Sequence, residues 1–442
     1  MTIRPTLKLF DVTMIVVSMV IGIGIFRNPA IVAQQAGNAF NFFLVWVVGG
    51  LVAFCGALTF AEIGSRLPVA GGFYRIFSLC YSPALAFMLI WTYILLTAGA
   101  VAAVTFTGVQ YLAPVILPVQ LQQPASEKIM FVGVIGVLFT INYLGIKAGS
   151  MTQNLLSLVK IVLVLVLISA LVLASPESHM PTNLSYTSAD PKTWFLAVGT
   201  ALVGVYFSYG GYQNTANLGA DAHCPHRTIP RGILLAMLIV VALYLLINFT
   251  YVYVLGFEQL KQAPLVAEAL ARRMMGDAGS AFAGIAIFLS VLGYVNAALL
   301  FVPRVFYAMA QEGVLPMRFH HVHQRKQVQE FTLAFFCILV VAMFLLLQNY
   351  DNLLNYVMFN DTLALAFAAY SIFILRKRNV GDDQEGYRIR WYPWIPSVFI
   401  AMQVGVTISI VISDPTNSLV GAALLVLGYP IYLLLRKLMT PG

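Results

Sequence analysis

Apolar runs of about 20 residues recur along this chain and constrain its fold more than any other feature. Each run is long enough to cross a bilayer as an α-helix. Only 10% of the 442 residues are charged and 60% are hydrophobic, whereas soluble domains carry roughly 25% charged residues. Strand-like alternation is absent, which argues against a transmembrane barrel. The sequence therefore predicts an all-α polytopic membrane protein.

Twelve transmembrane helices account for these runs, with ends placed to within about 2–4 residues. The predicted spans are 11–36, 40–65, 83–113, 127–145, 152–174, 193–219, 231–256, 280–311, 331–348, 352–376, 393–413 and 418–435. Because twelve is even, both termini lie on one side. Residues 1–10 form an N-terminal tail on that side.

The basic residues are divided unevenly between the two sides that these spans define. Of the 25 Lys and Arg residues, 18 lie on the side of the termini and five on the other. Because Lys and Arg are enriched in cytoplasmic loops, both termini are predicted to be cytoplasmic, in a cell membrane. This orientation accounts for the net charge of +8, so the lipid bilayer is an expected partner and nucleic acid is not.

Two predicted spans are interrupted by glycines near their centres. The first reads MIVVSMVIGIGIFRNPA, with Gly22 and Gly24, and the sixth reads VYFSYGGYQNTAN, with Gly210 and Gly211. Glycine weakens a helix, and freed backbone groups are tolerated at membrane depth only against protein or a water-filled cavity. Close helix packing is the alternative explanation for glycines in one span alone. Interruptions at corresponding places in two inverted halves indicate a transport site at mid-depth.

The ends of broken helices have a definite ligand chemistry. A half-helix N-terminus offers free N–H groups and a positive dipole end, which suit a carboxylate. A half-helix C-terminus offers carbonyls, which suit an ammonium group. An α-amino acid carries both groups a few bonds apart, so we expect a small-molecule amino acid substrate at this place.

Four short motifs occur in order along the chain. Span 1 contains VIGIGIF, residues 61–74 read AEIGSRLPVAGGFY, residues 224–233 read CPHRTIPRGI, and residues 304–316 read RVFYAMAQEGVLP. Together they resemble the amino acid–polyamine–organocation (APC) superfamily, nearest its L-type amino acid transporters.

This resemblance implies an architecture and a mode of action. It implies a LeuT-type five-plus-five inverted repeat over residues 11–377, with repeats at 11–174 and 193–377 and with helices 1 and 6 broken. Two additional transmembrane helices follow within residues 392–438. It also implies transport by alternating access, without a cofactor.

The resemblance places the substrate contacts at both breaks. The residues implied are Gly22, Ile23 and Gly24 for the carboxylate, main-chain carbonyls near Met19, Val20, Tyr206 and Phe207 for the ammonium, and Gly210, Tyr212 and Gln213 for the side chain. Phe207 also occupies the place of an aromatic residue that covers the substrate from outside. Ile23 departs from the family, which usually has serine there. Asn296 is a further polar residue within reach of a substrate.

Two basic residues lie inside predicted spans. For Lys160 the simple interpretation is a side chain that snorkels to the interface. In the family, sodium-independent members carry a lysine at this position, which implies that Lys160 replaces a sodium ion and ties span 1 to span 8. Proton coupling through Lys160 stays open. Arg27 is expected either to pair with Asp361 as an outer gate, to face solvent or headgroups, or to contact an acidic substrate.

The sequence thus favours a sodium-independent exchanger of L-amino acids. Neutral side chains are expected, since no acidic residue lies beside the breaks and since Phe207, Tyr212 and Gln213 suit a neutral side chain. A proton-coupled symporter is the alternative, and a non-transporting sensor is a remote one. An enzyme is not expected, because no convergent acid, base or nucleophile set is present. A metal site is not expected, and an accessory subunit is not indicated because the connection between spans 3 and 4 lacks cysteine.

Overall fold

The structure, a computed structural model, describes residues 4–173, 191–346, 350–382 and 386–439. The α-helices of these residues are α1 Leu9–Val20, α2 Gly24–Ala36, α3 Ala39–Arg66, α4 Gly72–Cys80, α5 Pro83–Ile116, α6 Pro124–Leu144, α7 Ile146–Ile168, α8 Ala170–Leu173, α9 Pro191–Tyr209, α10 Pro225–Leu255, α11 Phe257–Gln262, α12 Val266–Met275, α13 Ala278–Gln311, α14 Glu330–Leu346, α15 Tyr350–Lys377, α16 Trp394–Ser413 and α17 Pro415–Met439. The predicted boundary between the repeats, 175–192, lies almost entirely outside the described residues.

The helices confirm a polytopic membrane protein. Among the described residues, nine helices are long and apolar enough to cross a bilayer, and α1 with α2 adds a tenth span that is bent by 43°. Two of the twelve predicted spans, now α9 and α14, are not among these ten, and α14 has only 17 residues. The total of twelve therefore stays a prediction.

Three helices lie where the sequence predicted only connections. α4 follows the second span, and α11 and α12 occupy the connection before α13. Such short helices show too few turns for their periodicity to be recognised. The start of α4 depends on glycine, because Gly71 has φ +61° and a Cβ at Gly72 would overlap the Ala216 carbonyl.

The two predicted breaks are present in the backbone. α1 ends at Val20, where the N–H of Ile21 donates to the Val17 carbonyl at 2.8 Å and the N–H of Gly22 donates to the Val20 carbonyl at 2.8 Å. α2 then begins at Gly24 in a new direction. α9 ends at Tyr209 and continues only as short 3₁₀ turns over Tyr212–Asn217 and Gly219–Asp221.

Helix packing places these breaks at the centre of the bundle. α1 packs against α7, α10 and α13, whereas α2 packs against α9. α5 packs against α13 and α15. An aromatic cluster supports the α9 break, since the Tyr209 ring lies 5.0 Å from Tyr244 and 5.8 Å from Trp46, centroid to centroid. The interrupted backbone is thereby surrounded by protein rather than lipid.

The chain N-terminal to α1 is fixed at one end of the bundle. The N–H groups of Thr6 and Leu7 donate to the Asp221 carbonyl at 2.7 and 2.8 Å. The buried Asp221 carboxylate accepts from Arg304 Nη2 at 3.1 Å and from Arg304 Nε at 3.2 Å. This ion pair joins the turn after α9 to α13.

A second ionic network centres on Glu62 of α3, whose side chain is fully buried. Its carboxylate accepts from Arg66 Nε at 2.7 Å and from Arg376 Nη2 at 2.6 Å and Nε at 2.8 Å. It also accepts from the N–H of Ile389 at 2.8 Å. Arg66 additionally donates to Asp382 at 2.7 Å. One carboxylate therefore connects α3, the end of α15 and the segment before α16.

Replacing Glu62 with alanine is expected to destabilise the fold by about 3–5 kcal/mol, because it leaves buried guanidinium groups without their main partner. Thermal unfolding of the purified protein in detergent measures the effect. Glu258→Ala is the matched control, since it breaks an ion pair with Lys261 in which the Glu258 side chain is 73% exposed; its cost should be about 0–1 kcal/mol. Equal melting temperatures for the two variants would contradict this assignment.

Candidate functional site

A cavity of about 160 Å³ lies at the two breaks. It is formed by the end of α1, the start of α2, the end of α9 with the turn after it, and one face each of α5, α13 and α15. The lining residues are Met19, Val20, Gly22, Ile23, Gly24, Leu89, Thr92, Tyr93, Leu96, Thr97, Ala100, Val104, Tyr206, Phe207, Ser208, Gly210, Gly211, Gln213, Asn214, Tyr294, Phe301, Asn360, Asp361 and Ala364.

The first break presents opposite helix ends to this cavity. α1 ends there with its last carbonyls, and α2 begins there with no side chain capping its N-terminus. The first N–H groups of a helix have no intrahelical partner. At the start of α2 the N–H of Phe26 donates to the Ile23 carbonyl at 3.1 Å, and those before it are available to a ligand. Side chains already bind three carbonyls at the end of α1, because Tyr244 donates to Val20 and Lys160 donates to Ser18 and Ile21.

The backbone of the second break packs closely against that of the first, and a glycine lies at the contact. Gly211 has φ +124°, and a Cβ there would lie 2.7 Å from the Met19 carbonyl oxygen. The N–H of Gly211 donates to Gln213 Oε1 at 2.9 Å, so the Gln213 side chain satisfies a freed backbone group. Glycine is needed at 211 both for this φ and for the close approach of the two chains.

Beyond the breaks, α2 and α9 contact each other directly. Asn28 Nδ2 donates to Ser208 Oγ at 2.9 Å and to the Gly204 carbonyl at 3.3 Å. A Cβ at Gly24 would lie 3.3 Å from Ser208 Oγ. The half-helices are therefore held together on one side of the cavity by neutral hydrogen bonds.

Lys160 of α7 is fully buried at the broken end of α1. Its Nζ donates to the carbonyls of Ser18 and Ile21, both at 2.7 Å. A helix C-terminus favours a cation, and this ammonium satisfies two of the carbonyls that the break exposes. A Cβ at Gly293 would lie 2.7 Å from Lys160 Cε, so glycine allows α13 to approach the lysine. Lys160 is tied into the bundle and does not snorkel to an interface.

Most of the residues predicted to contact a substrate lie together in the cavity. Those that line it are Met19, Val20, Gly22, Ile23, Gly24, Tyr206, Phe207, Gly210 and Gln213. Tyr212 instead lines a smaller neighbouring cavity with Tyr206 and Gln213. Asn296 does not line the main cavity. Its amide is buried and donates to Gln153 Oε1 at 2.8 Å and to the Gly149 carbonyl at 3.1 Å, so it joins α13 to α7.

The two residues of the predicted outer gate lie apart. Arg27 is exposed and is not among the cavity residues, whereas Asp361 lines the cavity. No ion pair joins them in the part of the chain that the structure describes. Their pairing stays a prediction for another conformation.

Asp361 also brings an acidic side chain to the cavity at the breaks, which the sequence did not predict. The expectation of neutral substrates depended in part on the absence of an acidic residue near the breaks in sequence. The structure brings Asp361 to the cavity from α15, far along the chain. One of the two reasons for expecting neutral side chains is therefore removed.

The cavity face of α5 was also not predicted. It comprises Leu89, Thr92, Tyr93, Leu96, Thr97, Ala100 and Val104. These positions follow helical spacing and lie on one face, which was the available signal. A helix surrounded by protein is apolar on several faces, so periodicity alone did not identify the face that lines the cavity.

Known proteins are similar to this chain along most of its length. A family model described as amino acid permease matches residues 7–435. The chain is 28% identical over 434 residues to the serine/threonine exchanger SteT of Bacillus subtilis, covering 97% of this chain and 96% of that protein.

Two human proteins are also similar. The cystine/glutamate transporter is 26% identical over 423 residues, covering 95% of this chain and 83% of that protein. The large neutral amino acids transporter small subunit 2 is 26% identical over 430 residues, covering 95% and 78%. These relatives are transporters rather than enzymes, and the chain belongs to the amino acid permease family of the APC superfamily.

Proposed function

We propose that this protein is a sodium-independent secondary transporter that exchanges L-amino acids across a cell membrane. The observation that carries the proposal is the single cavity at which both interrupted helices end. There the N-terminus of α2 and the C-termini of α1 and α9 meet. A zwitterion is the ligand class that complements helix ends of both signs.

Each end of the zwitterion has a partner in this arrangement. The substrate carboxylate binds the main chain of Gly22, Ile23 and Gly24 at the start of α2. Its ammonium binds the carbonyls near Met19 and Val20 and those near Tyr206 and Phe207. Since main-chain groups make these contacts, the isoleucine at 23 supplies its N–H without the hydroxyl that a serine would add.

The architecture that accompanies this function is a twelve-helix, LeuT-type inverted repeat. In this arrangement α9 and α14 also cross the membrane. The two repeats are residues 11–174 and 193–377, and the last two helices lie within 392–438. Both termini are cytoplasmic. The neutral contact between Asn28 and Ser208 is the part of the bundle that opens when the half-helices separate. Phe207 then covers the substrate from its outer side.

Exchange is favoured over proton symport because a similar protein is named as an exchanger. Counterflow into proteoliposomes tests this directly. Radiolabelled amino acid should enter only when unlabelled amino acid is present inside, with no proton or sodium gradient imposed. Uptake into empty vesicles that requires an inward proton gradient would favour the symporter instead.

Filling the space at Gly22 should block transport without unfolding the protein. A Cβ at Gly22 has no heavy atom within 4 Å, so the side chain in Gly22→Leu would project into the cavity and compete with substrate. Amino acid counterflow is expected to fall by at least about tenfold, with an unchanged melting temperature. Gly133→Leu is the control, because Gly133 is exposed on α6 and also has no neighbour within 4 Å. Full activity of Gly22→Leu would contradict the location of the site.

Removing the Lys160 ammonium should disable the transporter. Lys160→Ala leaves the carbonyls of Ser18 and Ile21 without their donor, at a cost of about 1–3 kcal/mol for each buried group. We expect lower thermal stability and loss of counterflow, while the unaltered protein transports equally in sodium and choline buffers. Lys147→Ala on the exposed side of α7 should change neither property. Sodium-dependent uptake by the unaltered protein would refute the assigned role of Lys160.

A further inference from the structure

We propose that the cavity selects amino acids whose side chain ends in a cationic amine, and that Asp361 is the residue that determines this specificity. The inference deepens the proposed function and rests on it. It concerns the part of the substrate that the broken helices do not contact.

Among the residues that the structure describes, none is a hydrogen-bond or ion-pair partner of the Asp361 carboxylate. It lies within α15, is half-buried, and lines the cavity. It makes no hydrogen bond or ion pair with any residue that the structure describes. A carboxylate in such surroundings is costly unless an opposite charge or hydrogen-bond donors compensate it. Its partner is therefore to be sought in the cavity.

Two basic residues lie near the broken helices, Lys160 and Arg27, and neither pairs with Asp361 among the described contacts. Lys160 Nζ is already bonded to the carbonyls of Ser18 and Ile21, and Lys160 does not line the cavity. Arg27 is exposed and does not line it either. Among the lining residues, Asp361 is the one acidic or basic side chain. The cavity thus has a charge that no basic side chain of the described residues complements in this conformation.

The rest of the lining is suited to a cation. Aromatic rings face the same space, and they belong to Tyr93, Tyr206, Phe207, Tyr294 and Phe301. Aromatic faces attract cations, most strongly where water is excluded. The Tyr93 hydroxyl donates to Asn214 Oδ1 at 2.7 Å and so is not directed to the carboxylate.

Asp361 belongs to a different helix from the groups that bind the α-groups of the substrate. The α-carboxylate and α-ammonium are assigned to main-chain groups of α1, α2 and α9, whereas Asp361 is on α15. With the α-groups held at the breaks, the Asp361 carboxylate contacts the side chain of the substrate. A lysine-like side chain places an ammonium there, while an isosteric apolar side chain leaves the carboxylate unpaired.

Counterflow of two matched substrates tests the inference. L-lysine and L-norleucine have the same carbon skeleton and differ by the terminal amine. Proteoliposomes containing the full chain, loaded with the unlabelled form of each, should take up labelled lysine faster than norleucine. In Asp361→Asn, lysine uptake should fall by at least about 30-fold, the usual minimum for loss of one partner of a buried charge pair, while norleucine uptake should change less than about threefold.

Arg27→Gln is the matched control, because it removes the other member of the predicted gate. It should leave the ratio of lysine to norleucine uptake unchanged. Continued norleucine counterflow by Asp361→Asn also demonstrates that this variant is folded. Thermal stabilisation of the purified protein by lysine, present in the unaltered protein and absent in Asp361→Asn, provides a readout that does not depend on transport.

Three results would overturn the inference. One is an unaltered protein that prefers norleucine. Another is an equal loss of both substrates in Asp361→Asn, which would place the carboxylate at the α-ammonium. The third is a variant that loses only a dependence on the proton gradient, which would make Asp361 a proton site. If lysine binds selectively but no amino acid is exchanged, the proposed transport fails while the assigned recognition stands.

Discussion

The structure depends on one constraint, which is that an interrupted backbone at membrane depth must have its polar groups satisfied. The break in α1 leaves carbonyls that Lys160 and Tyr244 bind. The break after α9 leaves an N–H that Gln213 binds. Residues of both breaks line the cavity. The cavity and its ligand chemistry therefore follow from the same two breaks.

Much of this arrangement could be predicted from the sequence because its causes are local. Glycines in mid-span mark the breaks, and a lysine inside an apolar run needs a buried acceptor. In both cases lipid alone would leave polar groups unsatisfied, namely the freed backbone at the glycines and the ammonium of the lysine. Most helix bounds followed likewise from the length of each apolar run, but α7 and α10 begin at Ile146 and Pro225, before the predicted starts at 152 and 231.

Other features could not be predicted because they depend on which distant helices meet. Asp361 reaches the cavity only through the packing of α15 against α5, and its sequence neighbours give no sign of this. Asn296 was assigned to the substrate because it is polar and lies in a span, yet it bonds to Gln153 and Gly149. A buried polar residue needs a partner, but the sequence does not tell whether that partner is a ligand or a neighbouring helix.

The bond between Lys160 and the end of α1 has an energetic consequence for the transport cycle. A dissolved cation that binds at such a place can arrive from one side and leave on the other, and so can draw on its own electrochemical gradient. An ammonium covalently attached to α7 cannot leave. It stabilises the broken helix without carrying a sodium ion across the membrane. In the proposed exchanger, uphill movement of one amino acid is then powered by the downhill movement of another through the same cavity.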